Sequence, residues 1–262
     1  MVFALSASFM VVQVVVGWWT NSLALLADAA HLFVDAAGVG LSLLAVWFAE
    51  RPATAEKTYG YYRVEILAAL VNGVVLCVLA IVILVEAWER LRAHHEISAG
   101  PVLVVAVAGL GVNLLAAWLL HAGAGESLNV RGAYLEVLGD ALSSAAVIVA
   151  AAVILLTGWT AADALASAAI GLLILPRTFA LLKQAVNVLL EGVPAHLDLV
   201  EIETALRSTP GVKRVHDLHV WTLTSGREAM SAHVEVEAGT PPDRILDELH
   251  LVLHARFGID HT

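Results

Sequence analysis

Long apolar runs alternate with short polar breaks through the first three quarters of this chain, and the pattern predicts helices that cross a membrane. Six runs cover about residues 1–19, 22–49, 65–88, 101–121, 133–157 and 162–183, each near the ~20 residues needed to span roughly 30 Å of hydrocarbon. Six of the seven tryptophans, Trp18, Trp19, Trp47, Trp88, Trp118 and Trp159, fall near their ends, where an amphipathic ring suits the headgroup layer. The first run lacks a basic leading segment and a small-residue cleavage site, so it reads as a span and not as a signal peptide. Arg51, Lys57, Arg63, Arg131, Arg177 and Lys183 lie on one side of the spans and only Arg90 and Arg92 on the other. Because cations concentrate in cytoplasmic loops, both termini are expected in the cytoplasm.

After Glu191 the pattern changes, with Gly192 and Pro194 ending the last long helix. Residues 195–208 predict a helix with Leu197, Val200, Ile202 and Leu206 on its apolar face. Val212 to Thr224 and Glu228 to Glu237 predict β-branched strands joined at Ser225 and Gly226, and Pro241 to Phe257 predicts a second amphipathic helix. The order αββα wants one more strand, and the sequence stops at Ile259 to Thr262, where that strand is expected to start. The chain thus divides into residues 1–190, a six-helix membrane bundle, and 191–262, a small α+β unit expected to lack its last strand.

Composition sharpens the class. The chain is 60% hydrophobic and 15% charged, with mean hydropathy +0.83. A net charge of -10 excludes nucleic acid as a partner, since phosphate binding needs clustered cations. Cys77 is the single cysteine, which excludes a disulfide framework, an iron–sulfur cluster and a Cys-rich zinc ribbon. Metal chemistry, if present, must use His and carboxylates. Residues 192–262 hold seven of the eleven histidines and carry eleven acidic side chains against six basic ones.

The informative residues are ionisable groups inside the spans, where an unpaired charge costs several kcal/mol. Asp28, His31 and Asp35 in the second run are spaced i, i+3, i+7 and share one helix face, and Glu136 and Asp140 in the fifth are an i, i+4 pair. His31, Asp35, Glu136 and Asp140 together supply four nitrogen and oxygen donors, the number a tetrahedral Zn²⁺ takes. The alternative is that these groups pair with one another merely to hold the bundle together. Asp28 is expected to accept a hydrogen bond from a ring nitrogen of His31 and so orient it.

The segments Asn21 to Asp35 and Tyr134 to Ser144, with Tyr59 to Leu67, Leu190 to Pro194 and Val215 to Trp221 in support, resemble the signature helices and loops of the cation diffusion facilitators, in order and over almost the whole chain. The resemblance implies a homodimeric six-span exporter that exchanges Zn²⁺ or a related divalent ion for protons, working by alternating access. It implies a multi-pass protein of the bacterial inner membrane with a ferredoxin-like cytoplasmic domain that assists dimerisation and senses metal. The transport site would be His31, Asp35, Glu136 and Asp140. In relatives, positions matching His216, His233 and His261 can bind metal in the soluble domain, which would make Zn²⁺ a regulatory ligand as well as a substrate.

Departures from the family pattern carry their own expectations. The family's usual histidine in the fifth span is Glu136 here, and Tyr61 and Tyr62 stand where a loop histidine is often found after the second span, so no metal site is expected there. Three ionised carboxylates leave one negative charge uncompensated by a divalent ion, so one is expected to keep its proton and make metal and proton compete. More oxygen and less imidazole should favour Mn²⁺, Fe²⁺ or Co²⁺ relative to a histidine site. On an unbroken strand His216 and His219 face opposite sides and cannot share a site without a bulge. A membrane-embedded metalloenzyme would need an H-E-x-x-H motif, which is missing, so the chain is read as no enzyme. A non-transporting metal sensor and a passive divalent cation channel remain as alternatives.

Overall fold

The computed structural model describes residues 2–93, 95–121 and 128–262. Helices α1 (Val2–Thr20), α2 (Leu23–Ala49), α3 (Arg63–Arg92), α4 (Ala99–His121), α5 (Leu128–Thr157) and α6 (Ala161–Leu189) follow the six apolar runs. Among the described residues, α2 to α6 are each long and apolar enough to cross a membrane. The largest difference lies in α6, which continues to Leu189 around an internal Pro176. Arg177, expected near the end of this span, therefore sits well inside the helix. Hydropathy alone stops short here because charged and polar side chains mix into the last three turns.

Packing divides the chain into two compact units, residues 1–40 with 71–180 and residues 41–70 with 181–262. In the first, Leu25, Leu76, Ile83, Val102, Val147 and Ile170 form a core with many alanines, whose small side chains let helices approach closely. Gly109 of α4 shows how closely: a Cβ there would lie 2.7 Å from the Phe9 ring of α1. The start of α2 is capped from α6, where the buried Asp163 carboxylate accepts from Ser22 Oγ (2.5 Å) and from the Leu23 (2.7 Å) and Ala24 (3.3 Å) N–H groups. Those amides would otherwise lack partners at a helix N-terminus.

The second unit contains the tail. Helix α7 (Leu199–Arg207) begins at Asp198, whose carboxylate accepts from Val200 N–H at 2.8 Å. Strands β1 (Val212–Thr224) and β2 (Arg227–Val236) form an antiparallel pair, and α8 (Pro242–Phe257) ends on Gly258 in the left-handed region (φ 68°). Ile202, Leu206, Val215, Val220, Ile245, Leu249 and Leu253 pack into one core. Past α8, His261 makes a parallel bridge to Ala229, with Met230 N–H donating to the His261 carbonyl at 2.8 Å. The fold is thus a helical membrane bundle with a small α+β tail. In the same unit Arg63 pairs with Glu191 at 2.7 Å, Ser225 Oγ donates to Glu65 at 2.8 Å, and Arg227 donates to the Tyr62 hydroxyl.

Candidate metal centre

Helical periodicity places Asp28, His31 and Asp35 on one face of α2, and that face meets α5. His31 Nε2 lies 3.3 Å from Asp35 Oδ2 on its own helix and 4.0 Å from Asp140 Oδ1 on α5. Asp35, Asp140 and Glu136 line one cavity of about 310 Å³ together with apolar residues that include Met10, Leu32 and Val137. His31 Nδ1 and Asp35 Oδ2 are shut off from solvent without a hydrogen bond, although buried polar atoms are nearly always paired. One imidazole and two carboxylates converging with open valences are the donor chemistry of a divalent transition metal.

Glu136 lines the same cavity, but its carboxylate is engaged by Arg177 of α6, whose guanidinium donates to Glu136 Oε2 at 3.1 Å. The carboxylate expected to leave a charge uncompensated thus has a cationic partner in Arg177. The hydropathy pattern hides this role because it puts Arg177 at a span end. A cation inside an apolar run was the available signal, since such a charge calls for a partner.

Asp28 also differs from its expected role. It is buried and accepts from Gln13 Nε2 of α1 at 2.5 Å, and neither its other oxygen nor His31 Nδ1 has a hydrogen-bond partner. Gln13 offers a neutral donor from the facing helix, so Asp28 ties α1 to α2 and does not orient the imidazole. Further along the same interior, Asn113 of α4 donates to Ser144 of α5 at 3.3 Å.

In the tail, His216 and His233 are direct cross-strand partners, with ring centroids 5.2 Å apart. Asp217 Oδ2 lies 3.3 Å from Nδ1 of each, and the three offer ligand atoms within 4.8 Å of one another. A β-bulge produces the arrangement. Between His216 and His219 the register slips against His233 and Ser231, and Asp217 takes a left-handed backbone (φ 52°). One extra residue reverses the alternation, so Val215 and Val220 both face the core, and His216 and His219 share the other face. His261 does not join this pair. Its register opposite Ala229 sets it four residues along β2 from His233, about 13 Å at strand spacing, and its ring packs edge-on against Tyr59 at 5.3 Å.

Comparison with known proteins agrees with this architecture. Residues 1–190 match the profile of the Cation efflux transmembrane domain, and residues 194–262 match the dimer profile described as Cation efflux protein, cytoplasmic domain. The chain is 46% identical over 260 residues to the Metal cation efflux system protein CzcD of Cupriavidus metallidurans, covering 99% of this chain and 82% of that one. It is 44% identical over 262 residues to the Zinc transporter ZitB of Escherichia coli (99% and 83%). It is 39% identical over 237 residues to a Bacillus subtilis protein named Cadmium, cobalt and zinc/H(+)-K(+) antiporter (90% and 76%). Two profiles covering nearly the whole chain, and relatives this similar along their length, make it a multi-pass membrane member of the cation efflux family, the cation diffusion facilitators, which are transporters and not enzymes.

Proposed function

We propose that this protein exports Zn²⁺, and with it ions such as Co²⁺ and Cd²⁺, from the cytoplasm in exchange for protons by alternating access. The observation that carries the reading is the convergence of His31, Asp35 and Asp140 from two apolar helices, with His31 Nδ1 and Asp35 Oδ2 buried and unsatisfied. Neutral His31 and two ionised carboxylates carry two negative charges, which a divalent ion cancels. In its absence protons relieve the same burial cost, so metal and protons compete for one set of atoms. That competition is the coupling an antiporter needs. The names of the relatives, zinc transporter and cadmium, cobalt and zinc antiporter among them, support the substrate class.

The protein works as a homodimer in the bacterial inner membrane with both termini in the cytoplasm, a reading supported by the distribution of Lys and Arg and by the match to a dimer profile. Residues 1–190 carry transport and 191–262 sense metal. In the tail His216, His233 and Asp217 take Zn²⁺ as a regulatory ligand, which neutralises part of the acidic tail and favours closer packing of two copies.

The test is reconstitution in vesicles under an imposed pH gradient, following Zn²⁺ and internal pH together. Opposite, coupled fluxes that Asp140→Ala abolishes are expected. Zinc flux without proton movement would instead make the protein a passive channel.

A further inference from the structure

Arg177 is a guanidinium on a helix apolar enough to cross a membrane, placed just after the internal Pro176. A cation there must find an anion or reach up to the headgroups. It finds Glu136, at 3.1 Å, one helical turn from Asp140 on α5 and on the wall of the cavity that Asp35 and Asp140 also line. Glu136 would otherwise be the fourth donor. We infer that Arg177 is a specificity-determining positioning residue: by pairing with Glu136 it withholds a hard oxygen donor from the transported ion and leaves the softer set of His31, Asp35 and Asp140.

The inference rests on the transport site proposed above, and charge and donor chemistry carry it. With Glu136 paired to Arg177 the cavity presents two net negative charges, matched to a divalent cation. With Glu136 free it presents three, with three carboxylates to one imidazole. Harder ions such as Mn²⁺ gain more than Zn²⁺ from an added carboxylate, and an excess negative charge slows release of any divalent ion. Glu136 therefore tunes selectivity through its partner, and the pair behaves as one unit.

The experiment is competitive uptake of Zn²⁺ and Mn²⁺ in proteoliposomes by the full chain, its Arg177→Gln and Glu136→Gln variants, and the double variant. Arg177→Gln should lower the Zn²⁺ to Mn²⁺ ratio several-fold, and the double variant should return it to the wild-type ratio, because the freed carboxylate is gone. Arg177→Lys, which keeps a cation within reach, should hold the wild-type ratio and serves as the check on folding. An unchanged ratio in Arg177→Gln, or a shift that persists in the double variant, overturns the inference and leaves Arg177 as a headgroup anchor. Loss of Zn²⁺ transport in Glu136→Gln as complete as in Asp140→Ala also overturns it, by making Glu136 a ligand. Absence of zinc transport by the wild-type chain would instead sink the transport reading itself, so the two failures are separable.

Discussion

The donors on α2 and α5 and the donors on β1 and β2 have the same chemistry, imidazole with carboxylate, but occupy opposite physical settings. His31, Asp35 and Asp140 are largely buried between apolar helices, and His31 Nδ1 and Asp35 Oδ2 make no hydrogen bond. His216, Asp217 and His233 sit on the open face of a two-stranded sheet, with His233 and Asp217 mostly exposed, where water can satisfy every polar atom. Burial makes the first set costly until an ion or protons occupy it, which is suited to moving an ion. Exposure makes the second set cheap when empty, which is what the proposed sensing role requires. The difference is one of dielectric and not of ligand type.

The sharpest way to break this contrast is to remove one charge from the buried set. Asp140→Asn keeps the shape and leaves one negative charge against two positive ones, so Zn²⁺ transport in vesicles should fall by about a hundredfold or more, beyond what losing a supporting hydrogen bond costs. A fall of only a few-fold would mean that α5 does not bind the ion. The exposed set should respond through binding. His216→Ala combined with His233→Ala should weaken Zn²⁺ binding to the tail by roughly two orders of magnitude and abolish metal-dependent compaction of the dimer in solution scattering. Compaction that survives both substitutions would remove the sensing role.

Much of the bundle was legible because span length and period are strong signals: α2, expected over residues 22–49, runs Leu23–Ala49. The i, i+4 spacings on α2 and α5 likewise showed which side chains could meet. What was hidden is relational. Glu136 and Arg177 lie 41 residues apart, and nothing local to either marks them as partners, although an arginine inside an apolar run announces that it has one. The Gln13 to Asp28 bond was invisible for the same reason. In the tail the alternation rule lets His216 and His219 share a face only with a bulge between them, and the core demands both Val215 and Val220. A bulge meets that demand, and Asp217, a residue type that tolerates the left-handed region better than most, supplies it.

That bulge gives a finer test of the tail site. Asp217→Asn keeps a side chain that tolerates positive φ, so stability should hold to within about 0.5 kcal/mol while Zn²⁺ affinity drops by about tenfold with the loss of the carboxylate. Asp217→Val should lose the same affinity and in addition destabilise the tail by about 1–2 kcal/mol, because a β-branched residue resists this backbone. Equal stability of the two variants in thermal unfolding of the full chain would mean that the strand slips into a regular register and the bulge is not fixed.

The smallest expected effect falls on His261. Family resemblance groups it with His216 and His233, but the parallel bridge to Ala229 holds it about four residues along β2 from that pair, a separation of roughly 13 Å that no single ion spans. His261→Ala should therefore leave Zn²⁺ affinity of the tail unchanged in calorimetry. Its cost should appear in stability, because the ring packs against Tyr59, a contact of about 0.5–1 kcal/mol. If affinity falls as far as in His233→Ala, the ion must be drawing His261 from a second copy of the chain, and the tail site would then be a bridge between protomers. The same substitution measured at protein concentrations above and below dimerisation separates these outcomes, since a bridging ligand loses its effect when the chains part.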